Sequence, residues 1–126
     1  MNQPVALRVP LPYTAEQSNR ALPLVRRIVG DLVRCYADWQ EAVSRFEYAT
    51  SRSSAGTPDA EAEALQREVQ ALAAEIDGFV RELGELGVEC RNLALGLVEF
   101  PGEATTFCWR PGTNEVTTRP RKLAGI

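Results

Sequence analysis

The chain has 126 residues, a net charge of -3 and no histidine, with 44% hydrophobic and 25% charged residues. That length and balance describe one domain of ordinary soluble composition, spanning 1–126. The missing imidazole excludes triads and dyads with a histidine base and imidazole-dependent metal sites, and the mild acidity lacks a nucleic-acid binder's basic footprint.

Residues 1–13 carry Pro4, Pro10 and Pro12, which block helix and predict an extended lead-in. Thr14 and Gln17 form a capping box, and the first helix is expected over 14–53. Its Leu22, Val25, Val29, Leu32, Tyr36, Trp39, Val43 and Phe46 recur at spacings of three and four, one apolar seam. Pro23 falls inside that run and is expected to bend or split the first turns, because it lacks an amide donor. Ser51 to Pro58 reverses the chain. Thr57 as cap and Pro58 as first helical residue predict the second helix over 58–86. There Ala62, Leu65, Val69, Leu72, Ile76, Phe79, Leu83 and Leu86 repeat the rhythm, and Gly87 supplies a left-handed stop.

Beyond Gly87 the periodicity changes. Leu95 to Phe100, Thr105 to Arg110 and Glu115 to Thr118 are three short runs separated by Pro-Gly turn signals. They predict a small sheet over 88–118, with a solvated basic tail over 119–126 that holds Arg119, Arg121 and Lys122. The expected fold is mainly α with a small β part. It is a long antiparallel, coiled-coil-like helical hairpin capped by a three-stranded antiparallel meander.

The heptad flanks speak to assembly. Ala21, Ile28, Cys35, Ala42 and Ala49 run beside the first seam with Val33 on its other side, and Ala73 and Val80 widen the second. A third apolar position per heptad exceeds what one two-helix seam covers. Ile28, Val33, Cys35, Ala42, Ala73 and Val80 are therefore expected to form an interface in a homodimer or higher homo-oligomer, a four-helix bundle being the simplest. Glu61, Glu68, Glu75 and Glu82 line the opposite flank of the second helix. With no Glu-x-x-His partner they read as a solvated stripe rather than metal ligands.

Thirteen arginines face a single lysine, a pattern of high-GC bacterial coding. No signal-like start and no run near the ~20 apolar residues of a membrane span is present. Cys35, Cys90 and Cys108 lack C-x-x-C spacing and leave an odd count, which fits reduced thiols in a cytoplasm. Whether Cys90 and Cys108 lie close is open at this point.

Tyr13-Thr14, the run Asn19 to Val25, Gly96-Leu97-Val98-Glu99-Phe100-Pro101 and Phe107-Cys108-Trp109-Arg110 together resemble the bacterial family catalogued as domain of unknown function 2203. The resemblance covers nearly the whole chain and is strongest in the C-terminal block. It implies an architecture and a cytoplasmic setting, and no reaction. Glu99 stands where the family usually has aspartate, and Gly112-Thr113 where it has Gly-Glu. Thr117-Thr118-Arg119-Pro120 replaces a segment that commonly holds aromatic residues and histidine.

The family-like residues Asn19, Glu99, Trp109 and Arg110 come from three segments that the expected path gathers at one end of the hairpin. Glu99 and Arg110 on neighbouring strands would pair, or hold a polar ligand beside the Trp109 indole. In the structural alternative, Asn19 and Glu99 satisfy turn amides while Trp109 plugs the hairpin base. The function read from the sequence is a non-enzymatic, self-associating hairpin module for assembly or protein-partner binding, with no catalytic residue, cofactor, nucleic acid or membrane. The alternative is a small-ligand or metal-binding protein, or a weak enzyme, with its site at the helix–sheet base. Purified protein is expected to carry no stoichiometric zinc or iron. Elemental analysis after preparation without affinity-tag metals tests this, and one equivalent per chain lost on changing Glu99 or Cys108 would overturn it.

Overall fold

The computed structural model describes residues 12–52 and 59–120. Two helices, α1 (Ala15–Arg52) and α2 (Ala60–Glu85), precede four strands, β1 (Glu89–Asn92), β2 (Leu97–Pro101), β3 (Thr105–Trp109) and β4 (Thr117–Pro120). The fold is mainly helical, with one antiparallel sheet in the order β1-β2-β3-β4.

Helix α1 begins at the expected capping box. The Gln17 amide donates to Thr14 Oγ1 at 3.0 Å, and the Thr14 amide donates to Gln17 Oε1 at 3.1 Å. Pro23 does not split the helix, which runs 38 residues unbroken, about 57 Å at 1.5 Å per residue. Pro23 is exposed, so its ring lies on the solvent side of the helix, where a missing amide donor is tolerated.

Helix α2 starts at Ala60, two residues later than expected. Its cap is Asp59, whose carboxylate accepts from the amides of Glu61 and Ala62. A carboxylate also suits the positive end of the helix dipole. Thr57 and Pro58 lie outside the described residues. At the other end Gly87 takes φ +80°, as the sequence implies. The Val88 amide donates to Leu83 O and the Gly87 amide to Gly84 O, a complete Schellman closure with Val88 and Leu83 both buried.

The contact between the helices is shifted from the expected seam. On α1 the buried residues along the hairpin are Cys35, Ala42 and Ala49, with half-buried Phe46 among them. Ile28 is buried as well. Ile28, Cys35 and Ala42 were expected on an intermolecular face, and they are instead enclosed within the chain itself. The physical reason is size: alanine and cysteine let the backbones approach, so these positions become the line of contact. Tyr36 and Val43 of the expected seam are left half-buried at its side.

Strand β1 was not anticipated, because Glu-Cys-Arg-Asn carries no apolar run; the sheet has four strands rather than three. The Schellman turn delivers β1 directly to the edge of β2, with an irregularity between Cys90 and Asn92. The last strand is Thr117–Pro120 instead of Glu115 to Thr118, so Arg119 is a strand residue and not part of a tail. Alternation sets the faces. Val98, Phe100, Phe107 and Trp109 point into the core with Leu22, Val25, Val29, Leu32, Leu83 and Val88. Tyr13 binds this base together: its amide donates to Pro101 O, its hydroxyl to Leu86 O, and its ring meets Phe100 edge-on at 5.2 Å.

Two glycines give opposite expectations. Gly96 has φ +74°, and a Cβ there would stand 2.7 Å from Val29 Cγ1 and 2.9 Å from Val33 Cγ2. Gly96→Ala is expected to lower unfolding free energy by about 2 kcal/mol or more. Gly78 is helical with open space around it, so Gly78→Ala is expected to raise stability by about 1 kcal/mol. Urea denaturation of both variants checks the pair.

Candidate functional site

Concave regions among the described residues include one on the sheet and two along the hairpin. On the sheet, the outer face is the one turned away from the helices. It carries Leu97 and Glu99 of β2, Cys108 of β3, and Thr117 and Arg119 of β4. Glu99 sits opposite Cys108, and Cys108 opposite Thr117.

Glu99 is held from both sides. Arg91 on β1 approaches it at 3.3 Å, and Arg119 on β4 reaches across β3 to donate to it. The carboxylate is 13% exposed, whereas both guanidinium side chains are about half exposed. Arg119 also holds its proton more firmly than a free arginine, first through a hydrogen bond to Cys108 and then through the charge of Glu99. The arrangement straps β1 to β4 over the thiol. Beside it lies a cavity of about 260 Å³ lined by Leu97, Cys108, Trp109, Arg110, Thr113 and Thr117.

The four family-like residues do not converge. Asn19 is on the core side, where its Oδ1 accepts from the Val116 amide at 2.9 Å and ties the β3–β4 connection to α1. Trp109 is buried; its indole donates to Thr113 O at 3.0 Å, and Arg26 lies 5.7 Å from its ring. Glu99 and Arg110 do not pair, because Glu99 is taken by Arg91 and Arg119, and Arg110 stands exposed at the cavity rim. Alternation along β2 decides this: Val98 and Phe100 face inward, so Glu99 faces away from Asn19. That signal is present in the sequence. The contributions of Arg91 and Arg119 are not, since β1 carries no strand signature and β4 begins two residues beyond the start of the run Glu115 to Thr118.

The hairpin has two unlike sides. On one, a cavity of about 220 Å³ is lined by Asp31, Arg34, Cys35, Asp38, Leu72, Glu75 and Phe79. Cys35 Sγ lies 3.6 Å from Leu72 O and from a Glu75 carboxylate oxygen. Burial, followed by the neighbouring Glu75 and then Asp38, pushes this thiol's pKa up. On the other side, Tyr36, Trp39, Ala73, Ile76 and Leu93 form an apolar groove of about 150 Å³. Tyr36 and Trp39 stack there at 5.7 Å, and the Trp39 indole N–H is buried without a hydrogen-bond partner.

Cys90 packs against the core and Cys108 faces outward, so they lie on opposite faces of the sheet, and all three cysteines are free. Among the described residues no three His, Cys, Asp or Glu side chains group as a metal site. No helix among them is long and apolar enough to cross a membrane.

The chain belongs to the family described as an uncharacterized conserved protein, domain of unknown function 2203, which matches residues 12–125. No curated protein and no solved structure matches it.

Two outcomes follow from the geometry. Glu99→Gln is expected to lower the thermal midpoint in dilute buffer, with most of the loss gone near ~1 M salt, where the Debye length is about 3 Å. The second concerns alkaline stability. Burial raises the Cys90 pKa, as burial and Glu75 raise that of Cys35. A raised folded-state pKa favours the fold while the thiols stay protonated, and that contribution is lost as pH climbs past the ordinary thiol value of about 8.5. Denaturation midpoints should fall above this pH, and the fall should be shallower in Cys35→Ala.

Proposed function

We propose that the chain is a single-domain, non-enzymatic interaction module that self-associates through one side of its hairpin. One observation carries this reading: the two sides of the hairpin differ in charge. With 3.6 residues per turn, the side holding the apolar groove presents Tyr36, Gln40, Val43, Ser44, Glu47 and Ser51 on α1. On α2 it presents Gln66, Val69, Gln70, Ala73, Asp77 and Val80. Each helix contributes one acid to that side. The opposite side concentrates Glu61, Glu68, Glu75 and Glu82 with Asp31, Arg34, Asp38 and Arg45, and it includes the ion pairs Arg34–Asp31 and Arg45–Glu41.

A solvated helix surface in water is normally dressed with charge. A side that carries only one acid per helix, with an apolar groove at its centre, is the surface that a partner helix would cover. Of the residues expected in an interface, Ala73 and Val80 belong to it and Val33 borders it beneath Gly96. Ile28, Cys35 and Ala42 are replaced by Tyr36, Trp39 and Ile76. The acidic opposite side disfavours phosphate backbones, and three free cysteines support a reducing, cytoplasmic setting. A small-ligand role has one supporting observation, the sheet cavity beside Arg110, and nothing there specifies a reaction.

The wild-type protein should show more than monomer mass by light scattering at tens of micromolar. Replacing exposed Gln40 and Ala73 together by glutamate should weaken association about tenfold or more, equivalent to about 1.4 kcal/mol, while circular dichroism keeps its helical form. A wild-type chain that stays monomeric would sink the reading.

A further inference from the structure

Resting on that assembly reading, we infer that the second copy docks antiparallel, so that each sheet abuts the far end of the other copy's hairpin. The sheet occupies the same side of the hairpin as this charge-poor surface. Gly96 is packed onto Val29 and Val33, and Leu93 of the β1–β2 connection lines the groove with Tyr36 and Ala73. The sheet is therefore a step at one end. Two hairpins joined in parallel on this side would bring step against step and hold their open halves apart. Reversing one copy removes the collision and lays open half on open half.

The area is sufficient for a specific contact. From Tyr36 to Arg52 the open half of α1 extends about 25 Å, and two helices side by side are about 20 Å across. That gives roughly 500 Å² per copy and about 1,000 Å² in total before any contact with the step, the lower bound for a biological interface. The step adds to it. The connection that carries Leu93 also carries Leu95, which is 56% exposed and has nothing of its own chain to cover it among the described residues. The reversed partner's hairpin end, marked by Arg52 of α1 and Ala60 of α2, arrives there. A two-fold axis at the level between Arg45 and Phe46 then brings each copy's Gln40 level to the other's Ser51 level.

Small-angle scattering of the wild-type protein reads the arrangement without any substitution. The antiparallel pair, overlapping only by its open halves, has a longest dimension of about 90 Å, and a parallel pair of about 60 Å. A second test uses chains whose native cysteines are replaced by alanine, with helicity confirmed, carrying either Gln40→Cys or Ser51→Cys. Mixed under mild oxidation, they should form the disulfide between unlike chains and little between like chains. Dimer mass with a dimension near 60 Å, or disulfides only between like chains, overturns the antiparallel arrangement and leaves self-association standing. Dimer mass with no disulfide in either pairing places the contact elsewhere and also overturns it. Monomer mass overturns both.

Discussion

Helix α1 buries two different faces along its length, and every other element takes its place from that. Near its start, Leu22, Val25 and Val29 look toward the sheet, with Leu83 and Val88 closing the same core. Further along, the buried line moves to Cys35, Ala42 and Ala49, which look toward α2. An α-helix advances 100° per residue, so a seam repeating at exact heptads drifts slowly around the axis. The drift is large enough over 38 residues for one helix to serve two partners.

Size of side chain then separates the regions. At the base, large residues fill the space between helix and sheet: Phe100, Leu32 and Leu83 are fully buried. Along the hairpin, alanine and cysteine bring the backbones close, and a small second cluster of Ala49, Ala62 and Leu65 with Phe46 closes the far end. Close approach leaves little room between the helices for the aromatic residues in the middle of α1. Tyr36 and Trp39 are displaced to the side, where they form the groove. The surface assigned to assembly is thus a by-product of how tightly the two helices pack.

The outer face of the sheet solves a different problem. A four-stranded sheet covered on one side only must stabilise its other side without a second apolar layer. Here a carboxylate in the middle strand region draws in one arginine from each outer strand, Arg91 and Arg119. The pairs are exposed enough for solvent to screen them, so their contribution is modest. What they do supply is connection: β1 and β4 share no backbone hydrogen bond, yet both are tied to Glu99.

Local patterns determined much of this protein directly from the sequence. The capping box at Thr14 and Gln17, the left-handed stop at Gly87, the helical hairpin and the positions of β2 and β3 all follow from interactions within a few residues. Short-range rules suffice wherever the partner of a group is its near neighbour in the chain. Tertiary structure alone decided which heptad line became the helix contact, because periodicity gives spacing and not the closeness that small residues permit. It also decided β1, whose polar residues form a strand only because Gly87 aims them at the edge of β2. The destination of Glu99 belongs to the same class. Its alternation with Val98 and Phe100 marks it as outward-facing, but its two arginines lie 8 and 20 residues away. Long-range partners of that kind are chosen by the folded sheet, since no local rule brings them together.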